Sequence, residues 1–241
     1  MSITARAIPI LSDNYAWLVR DEETGFTAIV DPAETAPIVA AIEAAGRLDM
    51  ILLTHHHDDH IAAVDAVRAR FPAPVVGNAA DARRLPKLDR AVSPGDAFAF
   101  GAGEARVIDS PGHTIGHITY FLTPGDVLLS GDTLFSLGCG RLLEGTPAQM
   151  FSSLQALAAL PGDTLVCCGH EYTESNARFA LSADPDNSAL RGRAAEVGRL
   201  RAAGQATVPT YLVDEMATNP FLRAADVATL ADLRSRKDKF R

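Results

Sequence analysis

The sequence predicts an α/β domain followed by a smaller helical region, and three observations carry that prediction. Through the first 170 residues, short apolar runs such as Met50-Ile51-Leu52-Leu53 and Val127-Leu128-Leu129-Ser130 read as buried strands alternating with helical stretches. The residues capable of chemistry stand just after those runs, where open α/β folds place their ligands. From Glu171 onward, strand signals fade and helical periodicity takes over.

The elements follow in order. Ile3 to Ile10 begins as an alternating strand and leads into Ser12-Asp13-Asn14-Tyr15. Ala16 to Val19 and Thr27 to Val30 read as two strands joined by the turn Asp21-Glu22-Glu23-Thr24-Gly25, with Asp31-Pro32 closing the second. Thr35 can cap a helix running to about Ala45, with Gly46 at its end. A single helix is expected after His60, stopping at Pro72. Pro74 to Gly77 reads as a strand, Asn78 to Leu85 as a short helix, and residues 98–100 and 105–109 as strands. Thr146-Pro147-Ala148-Gln149 is a capping box with proline at the first helical position, for a helix running to Leu160. The last strand is 164–167, and further helices are expected over 171–182, 188–203 and 225–236.

The densest chemistry is Thr54-His55-His56-His57-Asp58-Asp59-His60, between a strand and a helix. In extended backbone alternate side chains point the same way, so His55 and His57 can face one metal ion while His56 faces away. Asp59 and His60 follow the turn and can face a second position. Imidazole and carboxylate together suit zinc, iron or manganese. Polar loops are ordinarily built from Gly, Ser, Asn and Asp, which argues against a chance cluster of histidines.

This loop has the form Thr-His-x-His-x-Asp-His and so resembles the metallo-β-lactamase superfamily. Thr54-His55-His56-His57 resembles its glyoxalase II branch, the hydroxyacylglutathione hydrolases. The resemblance implies an αββα sandwich over residues 1–170 and a smaller helical substrate-binding domain over 171–241. It carries through Ser110-Pro111-Gly112-His113, Gly131-Asp132-Thr133-Leu134 and Cys168-Gly169-His170-Glu171-Tyr172. By that match His55, His57 and His113 form one metal site, Asp59, His60 and His170 form a second, and Asp132 bridges them. His117 reads as a supporting hydrogen-bond residue, and Glu171 is left without a role.

Gly138-Cys139-Gly140-Arg141 resembles the loop that touches the carboxylates of glutathione. Tyr172 resembles a substrate-contacting tyrosine, and Arg234 with Lys237 resembles the C-terminal pair that holds a glutathione carboxylate. A cationic helix end favoured by the helix macrodipole is the alternative for that pair. The chain departs from the branch at Ala62 and Ala63, where glycines are usual, and at Leu143, where some members carry Tyr.

The implied activity is hydrolysis of S-D-lactoylglutathione to glutathione and D-lactate, in methylglyoxal detoxification. Two divalent ions, zinc first, would activate a bridging hydroxide with Asp59 and Asp132 among its supports. Within the superfamily a lactonase or a mononuclear-iron persulfide dioxygenase is the competing reading. Outside enzymes, it is a binding protein with structural metals, although structural zinc favours cysteine-rich sites.

Composition limits the partners. The 22 basic and 30 acidic residues give a net charge of −8, which argues against a general nucleic-acid binder. Hydrophobic residues at 47% allow a sizeable core. Cys139, Cys167 and Cys168 make no disulfide framework, read as small buried apolar residues, and suit a reducing cytoplasm. Met1-Ser2-Ile3-Thr4 shows no secretory h-region, and no apolar run reaches membrane-span length. A monomer acting on a small glutathione thioester is expected.

Overall fold

The structure is a computed structural model and describes residues 3–240. The chain opens with β1 (Ile3–Ile10), β2 (Asn14–Asp21) and β3 (Thr27–Val30), then α1 (Thr35–Ala45) and β4 (Met50–Leu52). The short helices α2 (Asp58–Ile61) and α3 (Val64–Arg70) precede β5 (Val75–Asn78) and β6 (Arg90–Val92). Then come β7 (Ala97–Phe100), β8 (Gly103–Asp109), β9 (Ile118–Thr123), β10 (Val127–Gly131), and a small hairpin of β11 (Leu134–Phe135) and β12 (Gly138–Cys139). Next are α4 (Pro147–Ala158), β13 (Leu165–Cys168), α5 (Thr173–Ala183) and α6 (Ser188–Ala202), and last β14 (Thr210–Tyr211), α7 (Leu212–Thr218) and α8 (Val227–Lys239).

Two six-stranded sheets result. One has the order β1-β2-β3-β4-β5-β6 and the other β14-β13-β10-β9-β8-β7. Strand alternation builds the layers. Trp17, Val19, Val30 and Leu52 point inward and meet Phe98, Tyr120, Leu122 and Leu129 of the other sheet. The residues between them point outward. Leu18, Ile29 and Ile51 pack under Ile38, Ile42 and Val67 of α1 and α3. Phe121, Leu128 and Val166 pack under Met150, Leu154 and Leu157 of α4 and Leu230 and Leu233 of α8. The outcome is the expected α-β-β-α order of layers. Truncating Ile51 or Leu128, both fully buried, to alanine should cost about 2–5 kcal/mol.

Two polar side chains stitch the sheets together through the apolar layer. Trp17 Nε1 donates to the Cys168 carbonyl at 2.8 Å, and the Tyr120 hydroxyl donates to the Leu53 carbonyl at 2.9 Å.

Several sequence expectations change. The helix after His60 is broken in two, because Ala63 leaves the helical ladder and donates its N–H to the Pro32 carbonyl at 3.0 Å. Ala62 and Ala63 have negative φ, so alanine fits there without strain. The stretch after Asn78 forms only a 3₁₀ turn over Ala79–Asp81, with the Asn78 side chain as its cap. Glu34, not Thr35, occupies the cap position of α1, and its carboxylate accepts from Leu11 N–H instead. The capping box at Thr146 and Gln149 forms as expected. β14 was not foreseen. It brings the C-terminal region into the second sheet by pairing with β13, so that region is not helical throughout.

Candidate metal centre and active site

Each candidate ligand sits just beyond a strand end, and its orientation is set by a neighbour. Asp31, at the end of β3, accepts from Thr54 N–H at 2.8 Å and from the Thr54 hydroxyl at 2.6 Å. With its proton so committed, Thr54 Oγ1 accepts from His55 Nδ1 at 3.0 Å. That leaves a lone pair on His55 Nε2. Asp31 Oδ2 also accepts from His60 Nδ1 at 3.0 Å, which frees His60 Nε2 in the same way. His113 Nδ1 donates to the Arg141 carbonyl at 2.9 Å, and His170 Nδ1 to Asp13 Oδ1 at 3.2 Å. Four imidazoles are thus held in the tautomer that presents Nε2 as a ligand.

These ligand atoms gather in two groups. His55 Nε2 and His113 Nε2 lie 3.1 and 3.0 Å from His57 Nδ1. Asp59, His60 and His170 form the second group, with the Asp59 carboxylate 3.7 Å from His60 Nε2 and 3.5 Å from His170 Nε2. Asp132 stands between them. Its Oδ2 is 3.4 Å from His113 Nε2 and 3.3 Å from His170 Nε2, and its Oδ1 is 3.4 Å from His60 Nε2. A bulge between Leu129 and Gly131 turns Asp132 into the site. Gly131 has φ +48°, and a Cβ there would fall 2.6 Å from Thr54 Oγ1, so only glycine is comfortable.

The donor set fits divalent metal ions. His60 Nε2 and Asp132 Oδ1 are buried and have no hydrogen-bond partner, a costly state that a shared cation relieves. Burial pushes His55, His57 and His113 down toward the neutral, ligating form, helped by repulsion from neighbouring histidines. Burial alone would also lower His60, but Asp132 and Asp31 outweigh it and raise that imidazole to about 9. Burial opposes ionisation of Asp132, yet His60 and His170 outweigh it and hold the carboxyl well below its usual range. The second group is therefore the richer in charge, and the first leans toward neutral nitrogens.

A cavity of about 510 Å³ opens over Asp132, His57 and His170. Tyr172 forms one wall, its ring stacked on His170 with centroids 4.5 Å apart and planes at 6°. Arg141, Leu143, Lys237 and Arg234 also reach this cavity. Lys237 Nζ donates to the Ser175 carbonyl at 3.0 Å and its hydroxyl at 2.9 Å. Burial, with repulsion from Arg234, Arg178 and Arg141, pulls the Lys237 ammonium down to about 8. Arg234 is only 6% exposed. Its guanidinium is already bonded to the Cys139 carbonyl at 2.8 Å and paired with Asp238 at 2.8 Å. It lines the cavity, but its charge is spent within the fold, unlike that of Lys237.

The supporting residues divide as expected in part. His117 Nε2 accepts from Asp132 N–H at 3.0 Å and its Nδ1 donates to Ser110 Oγ at 2.9 Å, so it fixes Asp132 without facing either group. His56 turns away toward Asp81, at 3.2 Å. Glu171 proves to be a tie: it accepts from the Tyr15 hydroxyl at 2.9 Å and from Thr207 N–H at 2.8 Å. All three cysteines are buried and unpaired, and burial pushes Cys139 up to about 11 and Cys168 up to about 12. Sequence reasoning missed Asp31, Asp13 and Asn14. Asn14 Nδ2 donates to the Asp59 carboxylate at 2.9 Å. In the sequence Asp13 and Asn14 stand as a turn between strands and Asp31 as a strand end, with nothing to mark these contacts.

Comparison with known proteins agrees with this geometry. Residues 11–170 match the metallo-beta-lactamase superfamily, and residues 171–240 match the hydroxyacylglutathione hydrolase C-terminus family. The chain is 59% identical over 239 residues to a hydroxyacylglutathione hydrolase of Acidiphilium cryptum, covering 98% of this chain and 97% of that relative. Among solved structures it resembles ETHE1 from Myxococcus xanthus, at 26% identity and a TM-score of 0.73, over 96% of this chain and 90% of that one. It also resembles TTHA1623, solved in a di-iron-bound form, at 29% identity and a TM-score of 0.59, over 69% of this chain and 91% of that one. With both of its parts matched and a full-length relative so close, the chain belongs to the hydroxyacylglutathione hydrolase branch of the metallo-beta-lactamase superfamily.

Proposed function

We propose that this protein is a dinuclear metal-dependent thioesterase that hydrolyses S-(2-hydroxyacyl)glutathione, above all S-D-lactoylglutathione, to glutathione and D-lactate in methylglyoxal detoxification. The observation that carries the reading is the placement of Asp132, whose Oδ2 lies 3.4 Å from His113 and 3.3 Å from His170. One carboxylate thus serves both ligand groups. The names of the closely similar relatives supply the substrate class.

His55, His57 and His113 would hold one ion and Asp59, His60 and His170 the other, with Asp132 placed to serve both. Bound divalent cations supply Lewis acidity, which lowers the pKa of water toward neutrality and stabilises negative charge at the thioester carbonyl oxygen. We read the ions as zinc, with iron or manganese as the alternatives. Lys237 and Arg141 offer the cations that seat the carboxylates of glutathione, and Tyr172 lines the wall beside His170. Arg234 supports the wall rather than adding a free charge. The leaving thiol has an ordinary pKa of about 8.5, so it departs as thiolate without a dedicated acid.

The division near residue 170 is read as functional: the sandwich supplies the metal ligands, and the region after it supplies Lys237 and the wall at Tyr172 and Ser175. No helix among the described residues is long and apolar enough to cross a membrane. The three unpaired cysteines support a reducing, cytoplasmic setting, and we read the protein as a monomer that binds no nucleic acid.

Purified, metal-loaded protein should release free thiol from S-D-lactoylglutathione, and a chelator should abolish that release. Turnover of lactones without turnover of the thioester would overturn the assignment in favour of a lactonase.

A further inference from the structure

The β11–β12 hairpin joins Asp132, at one end, to Arg141, at the other. It touches both ligand groups. The Phe135 ring meets His170 edge-on at 5.8 Å and Tyr172 at 5.5 Å, and the Arg141 carbonyl beyond β12 orients His113. The hairpin is buried, and its turn residue Leu137 has φ +57°, a left-handed backbone that leucine rarely adopts.

Side chains from the C-terminal region hold this backbone in place. Asn219 Nδ2 donates to the carbonyls of Phe135 at 3.1 Å and Gly138 at 3.0 Å. Glu215 Oε2 accepts from Leu137 N–H at 2.7 Å and from Asn219 Nδ2 at 3.1 Å. Asn176 donates to the Ser136 carbonyl at 3.1 Å, close against Gly138, where a Cβ would fall 2.5 Å from Asn176 Nδ2. Arg234 takes the Cys139 carbonyl. The Leu137 side chain completes the grip by packing with Ala177, Ala180, Leu190 and Val197 of α5 and α6.

A fully buried carboxylate such as Glu215 is an expensive way to stabilise a fold, since burial opposes its charge. Its position in the middle of α7, bonded to the strained turn, gives it a different use. Resting on the dinuclear reading above, we propose that Glu215 and Asn219 are positioning residues for the reaction. They fix the hairpin from outside the sandwich and thereby set how Asp132, His170 and Arg141 stand relative to one another.

The test uses full-length protein loaded with cobalt(II), whose visible absorption reports ligand geometry without turnover. Asn219→Ala and Glu215→Ala should keep two ions per chain, shift the cobalt bands, and lower kcat about tenfold while raising KM less, the scale expected when a ligand's support is removed. Glu215→Gln retains an oxygen for the Leu137 and Asn219 N–H groups and should restore the wild-type bands and kcat to within about twofold. Wild-type bands and kcat in both alanine variants, with only a lower Tm, would overturn the proposal and leave the pair as packing. Should Asn219→Ala fail to fold, Glu215→Ala set beside Glu215→Gln carries the test, with unchanged bands and kcat in Glu215→Ala counting against it. Absence of thioester turnover in the wild type would sink the functional reading, while the cobalt bands would still decide this one.

Discussion

The two ligand groups differ most in what stands behind them. Behind the first, the partners of the histidines are neutral: the Thr54 hydroxyl holds His55 and the Arg141 carbonyl holds His113. Behind the second they are carboxylates, Asp31 for His60 and Asp13 for His170, and a further carboxylate, Asp59, is itself in the group. A neutral partner fixes the tautomer and leaves burial to keep the ring uncharged. A carboxylate partner fixes the same tautomer and also invites a proton, or a cation in its place. Similar ligand types thus give one site of neutral nitrogens and one of higher charge density, and Asp132 is the point where they meet.

Removing that meeting point should have the largest effect. Asp132→Ala should lower turnover on the order of a thousandfold, because Lewis-acid stabilisation is worth several kcal/mol, and elemental analysis should find fewer than two ions per chain. Near-normal activity and metal content would reduce Asp132 to a turn residue. A smaller change separates the sites: Asp13→Ala should weaken metal binding at the second site about tenfold and leave the first unaltered, since Asp13 touches only His170. Equal loss at both sites would erase the contrast.

Acid should draw the same distinction. His60 is raised to about 9, so at pH 7, without metal, its imidazole holds a proton that must leave when a cation binds. Against its burial, His170 in the same group is raised as well by Asp132 and Asp13, so affinity there should fall at least about tenfold per pH unit between pH 8 and 6. The first site's histidines are pushed down and already neutral, so its affinity should stay nearly flat over that range. Competition against a chromophoric chelator at the two pH values measures both slopes, and parallel slopes would contradict the assignment.

Away from the metals the effects shrink. Lys237→Ala should raise KM about fivefold with a smaller change in kcat, the scale of about 1 kcal/mol left to a charged hydrogen bond after partial exposure. Because Lys237 is held down to about 8, it is charged at pH 7 and loses its proton as pH rises through 8. The wild-type KM should therefore climb between pH 7 and 9, and the variant's should not. Arg234→Ala should lower Tm as well, because its bonds are internal. Least of all, Cys168→Ser should keep metal and kcat within about twofold, and loss of metal in a folded variant would show a ligand that geometry does not reveal.

The candidate ligands were legible because clustered histidines are uncommon in loops and all five, with both aspartates, stand beyond strand ends in order. The layers were legible for a related reason: alternation along residues 16–19 and 127–129 fixes which face each side chain takes. What stayed hidden acts across the chain rather than along it. Asp31 reaches 23 residues to Thr54 and Asn14 reaches 45 to Asp59, and both are common turn residues with no local mark of that use. β11, β12 and β14 have two residues each, too short for any periodicity, and exist because partners elsewhere satisfy them. The split at Ala63 was hidden because alanine favours helix and only the Pro32 carbonyl pulls it away.

The pairing of β14 with β13 has a consequence for synthesis. A nascent chain that has emerged only as far as residue 170 already contains every candidate metal ligand, yet β13 is still a bare sheet edge beside the apolar faces of Val166, Leu154 and Leu157. Such an edge invites pairing with another unfinished chain. About forty more residues must leave the ribosome before Thr210 and Tyr211 can cover it, and α8 follows later still. The candidate ligands are translated first, and the parts that keep the young sheet from its neighbours come last.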